Sequence, residues 1–352
     1  MPTALSLFSG AGGDTLGLER AGFHVAAFSE MNKAAVETHL ANFTGSVHLK
    51  GAGAKGADIT AIPDSVFQPY AGTTDVVFAG FPCQGVSKAG KKKADDPRNQ
   101  MYLQFVRVTK ITKPRFVIGE NVTGLLSMKS PKGDDALLLD DIRAAFADIG
   151  YQLTHKVLEA TDFGVPQKRK RLLIVGWREG ETFDPTSFWA AVSAWGAAKP
   201  MVKQRSFVGV SLEGAYALKE GEVPEGFDDV ALQVPEGASV SGSPHPFVAL
   251  KAGQKLLSCS KRASPVHSEI INVDLPSKTI ICTYDHQPRL LVGLRRGSER
   301  WVRTLLPDEL KQIQGFPAGF TLCGNTKEKV VQVGNAVPPA LVEAVAGRLA
   351  AS

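Results

Sequence analysis

Three short segments of the chain carry side chains suited to covalent chemistry on an electron-poor ring. In Gly80-Phe81-Pro82-Cys83-Gln84 a cysteine follows a proline, with Lys88, Lys91, Lys92 and Lys93 close behind it. A positive field favours the thiolate, which is the nucleophilic form. A single cysteine is usually a small buried hydrophobe, and Cys259, Cys282 and Cys323, which lack such surroundings, read that way. Glu120-Asn121-Val122 supplies an acid, although Glu120 taken alone reads as a helix cap or a salt-bridged group. The third segment is Gln167-Lys168-Arg169-Lys170-Arg171. Alternate residues of an extended chain share one face, so Gln167, Arg169 and Arg171 point together. A thiolate, a carboxyl group and an inward arginine suit nucleophilic addition with neutralisation of the charge that develops.

A fourth segment, Leu5 to Asp14, is a strand running into the glycine-rich turn Gly10-Ala11-Gly12-Gly13 and then a helix. Such glycines permit a tight turn and close approach of a ligand to the backbone. Glu30 ends the next strand, where an acid can accept hydrogen bonds from ribose hydroxyls. Thr15 stands where a third glycine of a dinucleotide fingerprint would be, so a nucleoside cofactor without a pyrophosphate fits better. Asp58-Ile59 offers one hydrogen bond and one apolar contact for an adenine. The plain alternative is a structural strand-to-helix turn with no ligand.

These residues need a scaffold, and the first half of the chain supplies one. Buried strands are expected at 4–9, 23–29, 75–79, 116–119, 151–160 and 171–177. Amphipathic helices are expected at 15–21, 34–42, 101–111 and 137–149. Strands alternating with helices predict an α/β fold with a mostly parallel sheet and helices on both faces. Cys83 and Glu120 then fall at C-terminal strand ends, where ligands bind in open α/β sheets. Residues 196–268 are rich in Gly, Pro and Ser and predict a smaller loop- or β-rich domain. Helical patterns return at 307–314 and 337–349.

The whole chain has 352 residues, 43% hydrophobic and 21% charged, which excludes a disordered polymer. No apolar stretch approaches the roughly 18 residues of a bilayer span. The N-terminus shows no signal peptide, and four scattered cysteines form neither a disulfide framework nor a usual zinc site. The expectation is an intracellular, cytoplasmic protein without a metal. A net charge of +5 is small, but it is unevenly placed. Nine basic residues lie in 88–115 against Asp95 and Asp96, five lie in 168–178 with no acid, and six lie in 278–303 against Asp285 and Glu299. Clusters beside each chemical segment suggest a polyanion partner, whereas 219–236 is acidic.

Taken together, the segments resemble the DNA (cytosine-5)-methyltransferase family of prokaryotic modification type. The matches run in family order: Phe8-Ser9-Gly10-Ala11-Gly12-Gly13, Glu30, Asp58, Pro82-Cys83-Gln84, Glu120-Asn121-Val122 and Gln167-x-Arg169-x-Arg171. Arg303-Thr304-Leu305, Gln314-Gly315-Phe316-Pro317 and Gln332-Val333-Gly334-Asn335-Ala336-Val337-Pro338 complete the series. The resemblance covers about 1–178 and 276–350, and the family places its variable target-recognition region between them. Val86 departs from the family's frequent phenylalanine.

The resemblance implies a Rossmann-like S-adenosylmethionine-binding sheet, at 1–178, and a target-recognition domain at 179–326. A C-terminal helix, at 327–352, would return to the first domain. It implies methylation at C5 of a cytosine flipped out of double-stranded DNA. Cys83 would attack C6, Glu120 would assist at N3, Arg171 would face O2, and Arg169 would support the site. Phe8, Gly10, Ala11, Gly12, Gly13, Glu30, Met31, Asp58, Ile59, Met101, Asn335 and Ala336 would line the cofactor pocket. Gln84, Ser87, Lys88, Lys91 and Gln167 would contact DNA. A monomer, working beside a separate restriction endonuclease, would complete the picture. A tRNA cytosine-5 methyltransferase, whose Cys-Phe-Thr tripeptide is absent, and a catalytically silent DNA-binding paralogue are the alternatives. A nicotinamide oxidoreductase explains neither Pro82-Cys83-Gln84 nor the basic clusters.

Overall fold

Five strands alternate with helices in the first 121 residues, as the hydrophobic pattern requires. They are β1 (Thr3–Leu7), β2 (His24–Ser29), β3 (Val47–His48), β4 (Val76–Ala79) and β5 (Phe116–Asn121). Between and after them lie the helices α1 (Gly13–Arg20), α2 (Lys33–Asn42), α3 (Tyr102–Thr112) and α4 (Leu138–Ala147). The computed structural model describes residues 1–82, 100–130, 136–239, 247–249, 257–259, 269–285 and 288–350. Cys83, Gln84, Ser87, Lys88 and Lys91 lie outside the described residues.

Next in the chain come β6 (Tyr151–Glu159), β7 (Gln167–Lys168) and β8 (Lys170–Arg178). The large sheet has the order β3-β2-β1-β4-β5-β8-β6. Its first five strands are mutually parallel, and β8 runs antiparallel to both β5 and β6. The order reverses between β1 and β4, the place where open α/β sheets bind ligands. β4 is buried throughout, and β5 is buried at five of its six residues. That burial is why both strands read as continuous apolar runs rather than alternating ones.

Two apolar layers sandwich this sheet. Phe105, Ile142 and Phe146 of α3 and α4 cover one face. Leu18 of α1 covers the other, together with Leu341 and Val345 of a C-terminal helix that packs along α1. Contact there is close enough that a Cβ on Gly17 would strike the Pro339 carbonyl at 2.6 Å.

The remaining elements are α5 (Pro185–Ala197), β9 (Tyr216–Ala217), α6 (Phe227–Val230), β10 (Leu232–Gln233), β11 (Phe247–Ala249) and β12 (Leu257–Cys259). They continue with β13 (Glu269–Ile270), β14 (Ser277–Lys278), β15 (Leu290–Arg296), β16 (Glu299–Thr304), α7 (Pro307–Ile313), α8 (Thr326–Asn335) and α9 (Pro339–Leu349). A second sheet, β10-β15-β16-β9 with β13 on β15, is built on the β15–β16 hairpin. Its core holds Val292, Trp301, Leu310 and Phe316.

Two domain boundaries shift from those read in the sequence. Helix α5 falls in the proposed 179–326 domain, yet Phe188, Trp189 and Val192 share the large-sheet core with α9. Helix α8 falls in the proposed 327–352 unit, yet Val330 and Val333 belong to the small-sheet core. The chain therefore crosses between cores at Ala336 and Val337, with Ala336 in one and Val337 in the other.

Candidate active site

At the switch point the C-terminal ends of β1, β4 and β5 converge. A Cβ on Gly80 would lie 3.8 Å from both Glu120 Oε2 and the Phe8 carbonyl oxygen. A cavity of about 410 Å³ opens there, within the usual size range of small-molecule pockets. One wall is the β1–α1 turn with the end of β2, the second is the end of β5 with Arg169 and Arg171, and the third is the 331–337 crossing.

The β1–α1 turn is held by backbone geometry and by Glu30. Phe8 adopts φ 56°, an uncommon left-handed conformation for a bulky side chain, and its N–H donates to the Ser29 hydroxyl at 3.3 Å. Gly10 also has φ 56°, and a Cβ there would meet nothing within 4 Å, so the turn leaves the cavity side open. Glu30 accepts from the Gly10 N–H at 2.9 Å through one oxygen, and from Met31 and Asn32 N–H groups at 2.8 and 2.7 Å through the other. Asn32 then caps α2 by accepting from Ala35 N–H.

On the opposite wall, neighbouring antiparallel strands place Glu120 and Arg171 together. Arg171 Nε lies 2.8 Å from Glu120 Oε1, and both side chains are 13% exposed. Burial pushes the Arg171 pKa down, and Glu120 pulls it back up; a guanidinium stays charged all the same. Oε1 is engaged, while Oε2 faces Gly80. Next in sequence, Asn121 donates its amide N–H to the Phe81 carbonyl at 3.0 Å and accepts from Val122 N–H at 2.9 Å. That side chain ties the acid's strand to the Phe81-Pro82 segment immediately preceding Cys83.

Arg169 is 1% exposed and joins all three parts of the chain. It donates to the Ile280 carbonyl at 3.0 Å and to the Gly334 and Ala336 carbonyls at 2.9 Å each. Burial lowers its pKa well below the ordinary value, and the nearby Arg171 adds to that.

The structure brings Phe8, Gly10, Glu30, Met31, Glu120, Arg169, Arg171, Asn335 and Ala336 to one cavity. Other sequence-predicted residues lie off its wall. Ala11 is buried at 1% exposure. Gly12 and Gly13 serve packing, since a Cβ would strike Phe43 or the Val337 carbonyl at 2.4 Å. Asp58 caps the short turn Ile59–Ala61 by accepting from Thr60, Ile59 is core, and Met101 packs beside that core.

Gln167 is not a DNA contact. It is 0% exposed, donates to Gln314 Oε1 at 2.6 Å and accepts from Ile280 N–H at 3.0 Å. The predicted alternation does hold, with Gln167 and Arg169 inward and Lys168 and Lys170 exposed, but inward here means into protein.

Counting charges overstates the free basic surface for the same reason. Arg107 is engaged by Asp64 and the Ile59 and Ile62 carbonyls. Arg115 and Arg178 share Glu181, Lys278 pairs with Glu269, Arg300 with Asp228, and Arg303 with Glu309.

Sequence reasoning missed Asp14, which borders the cavity while 2% exposed. An acid in a helix's first turn is ordinarily a solvated dipole partner, so no local signal marked this one as buried. It also missed Gln332 and Val331 on the third wall, although the quoted 332–338 motif was the available signal for that wall.

Comparison with known proteins agrees with this geometry. The family model of C-5 cytosine-specific DNA methylases matches residues 3–222 and 245–351. The chain is 32% identical over 360 residues to the Type II methyltransferase M1.HphI of Haemophilus parahaemolyticus, covering 98% of this chain and 85% of the relative. It is 31% identical over 356 residues to the Type II methyltransferase M.Eco47II of Escherichia coli, covering 97% and 77%. Two solved structures share the fold. The S. pombe Dnmt2 methyltransferase gives a TM-score of 0.66 at 15% identity, covering 99% of this chain and 98% of that one. The Entamoeba histolytica methyltransferase EhMeth gives 0.64 at 16%, with the same coverage.

Proposed function

The chain belongs to the C-5 cytosine-specific DNA methylase family, and from that premise we propose that it methylates C5 of a cytosine flipped from double-stranded DNA, through covalent addition of Cys83 to C6. The observation that carries this reading is the Glu120–Arg171 pair at 2.8 Å on the cavity wall, linked by Asn121 to the segment that leads into Cys83.

In this reading the Cys83 thiolate adds to C6 while Glu120 supports protonation at N3, so electron density accumulates at C5. Arg171 holds Glu120 with Nε and donates Nη1 to the Lys170 carbonyl at 2.8 Å. The same guanidinium would face the cytosine O2. Once C5 carries the methyl group, transfer of the C5 proton to a solvent base re-forms the C5–C6 double bond and expels the Cys83 thiolate. Flipping costs a few kcal/mol of unstacking, which phosphate contacts from basic residues would offset.

The donor set fits S-adenosylmethionine. A glycine turn gives N–H groups at a helix N-terminus for a carboxylate, Glu30 gives an acceptor for ribose hydroxyls, and Phe8 gives an aromatic edge. Bound there, the cofactor supplies the electrophilic methyl group that C5 takes up. The DNA reading is favoured over a tRNA substrate because the matching family is one of DNA methylases by name, and both curated relatives are Type II methyltransferases. Type II relatives also favour a cytoplasmic protein paired with a restriction enzyme. The small β15–β16 domain is then the part that reads the DNA sequence.

Duplex carrying 5-fluorocytosine at the target position tests the mechanism, because fluorine at C5 cannot leave as a cation. The enzyme should stop as a complex with DNA that survives denaturing electrophoresis and requires S-adenosylmethionine. Cys83→Ala should abolish the adduct and still bind duplex. An adduct persisting in Cys83→Ala, or mapped to Cys259, Cys282 or Cys323, would overturn the assignment.

A further inference from the structure

Three carboxyl groups border the cavity, and they are compensated differently. Glu120 has Arg171, and Glu30 has three backbone N–H donors. Asp14, in the first turn of α1 and the most buried of the three, has neither a lysine nor an arginine among the described residues acting on it. Its Oδ2 accepts from the Ser6 hydroxyl and its Oδ1 from the Ser9 hydroxyl at 3.1 Å.

Hydroxyl partners matter, because a hydroxyl can donate to a carboxylate or turn and accept from a carboxylic acid. The two hydroxyls can thus serve either protonation state, while the backbone N–H groups of Asp14 and Thr15 favour the ionised one. Burial raises its pKa to about 6 against the lowering effect of Ser6 and Ser9. The network continues from Ser9 to the Thr15 hydroxyl at 3.3 Å and on to His39 Nε2 at 3.0 Å. Burial holds the His39 pKa down to about 3, so that α2 side chain brings no positive charge near neutrality. Among the described residues, the other charged groups around the cavity are Glu30, the Glu120–Arg171 pair, and Arg169, whose donors go to carbonyls.

We propose that Asp14 makes the cavity sense the charge at the cofactor's sulfur, favouring the sulfonium cation over the neutral thioether left after methyl transfer. This rests on the S-adenosylmethionine reading given above. The two ligands differ by one methyl group and one positive charge. In a water-poor cavity a cation and an ionised carboxylate attract far more strongly than in bulk water. Attraction is present when Asp14 is ionised and lost when it is protonated, whatever the pose of the rest of the ligand. The cavity would thus hold the methyl donor and release the product.

Calorimetric titration of the wild-type protein with S-adenosylmethionine and with S-adenosylhomocysteine, from about pH 5 to about pH 7, tests this below the ordinary amine titration. The ratio of the product's Kd to the donor's Kd should rise roughly five- to tenfold across that window. Asp14→Asn should keep the ratio at its low-pH value throughout. A purely structural role would weaken both ligands together and leave the ratio unchanged. A flat wild-type ratio with both ligands bound, or the same rise in Asp14→Asn, would overturn the proposal. If Asp14→Asn does not fold, the wild-type profile still decides. Failure of S-adenosylmethionine to bind at any pH would instead remove the cofactor reading, and this inference with it.

Discussion

On the wall built by β5 and β8, Glu120 and Arg171 face each other as an ion pair at 2.8 Å. On the wall built by the β1–α1 turn, Glu30 is held by backbone N–H groups and Asp14 by hydroxyls. The difference matches what each wall must do. A charged pair on the cavity wall can follow charge that develops on a ring during reaction. Backbone and hydroxyl donors fix a shape without cancelling the acid's charge, so the field still reaches a bound ligand. Arg169 follows neither pattern. Its donors go to the carbonyls of Ile280, Gly334 and Ala336, and it ties the end of β7 to Ile280 and to the 331–337 crossing.

The largest test of this division is Glu120→Gln. It should slow adduct formation on fluorinated DNA by about 10² to 10⁴, as for a lost general acid, with cofactor affinity by calorimetry unchanged. A comparable loss of cofactor affinity would mean that the walls do not act separately.

Arg169→Met comes next. Three buried carbonyls lose a donor, and the expected destabilisation in urea unfolding is about 2 to 4 kcal/mol. Because two of those carbonyls, Gly334 and Ala336, belong to residues that line the cavity, adduct formation and cofactor affinity should fall together. A variant as stable as wild type would remove it from the latch role.

Smallest is Glu30→Ala, which should weaken S-adenosylmethionine binding by roughly 1.5 to 3 kcal/mol and leave DNA binding without cofactor nearly intact. Saturating cofactor should restore the rate of adduct formation. If the rate stays low at saturation, Glu30 shapes the reacting geometry as well as the binding.

Most of the fold was legible because strand and helix periods are local. The six strands expected in the first 178 residues form, within a residue or two at most ends. Helix α5 was legible in part: Asp184 caps it by accepting from Thr186 and Ser187 N–H groups, and Pro185 occupies its first turn, a start signal that hydrophobic periodicity does not contain. Helix α8 likewise opens with a capping box between Asn325 and Glu328. Which core each helix joins was not legible, because that depends on partners far away in sequence.

The amino-acid sequence by itself determined the strand-turn-helix order, the glycine turn, and the placing of Glu120 at the C-terminal end of a strand, since each follows from neighbours within one element. Tertiary structure alone decided where charges point. Gln167, which the resemblance put at the DNA, has its amide engaged by Gln314 and Ile280, 147 and 113 residues away. Asp14, which the sequence did not single out, is enclosed by the β1 side chain of Ser6 and the wall of the cavity. Most arginines of the basic clusters looked free, yet acids brought close by folding neutralise them. The physical reason is the same in each case. Periodicity is written in the spacing of adjacent residues, whereas burial and charge pairing arise only when separate elements close on one another.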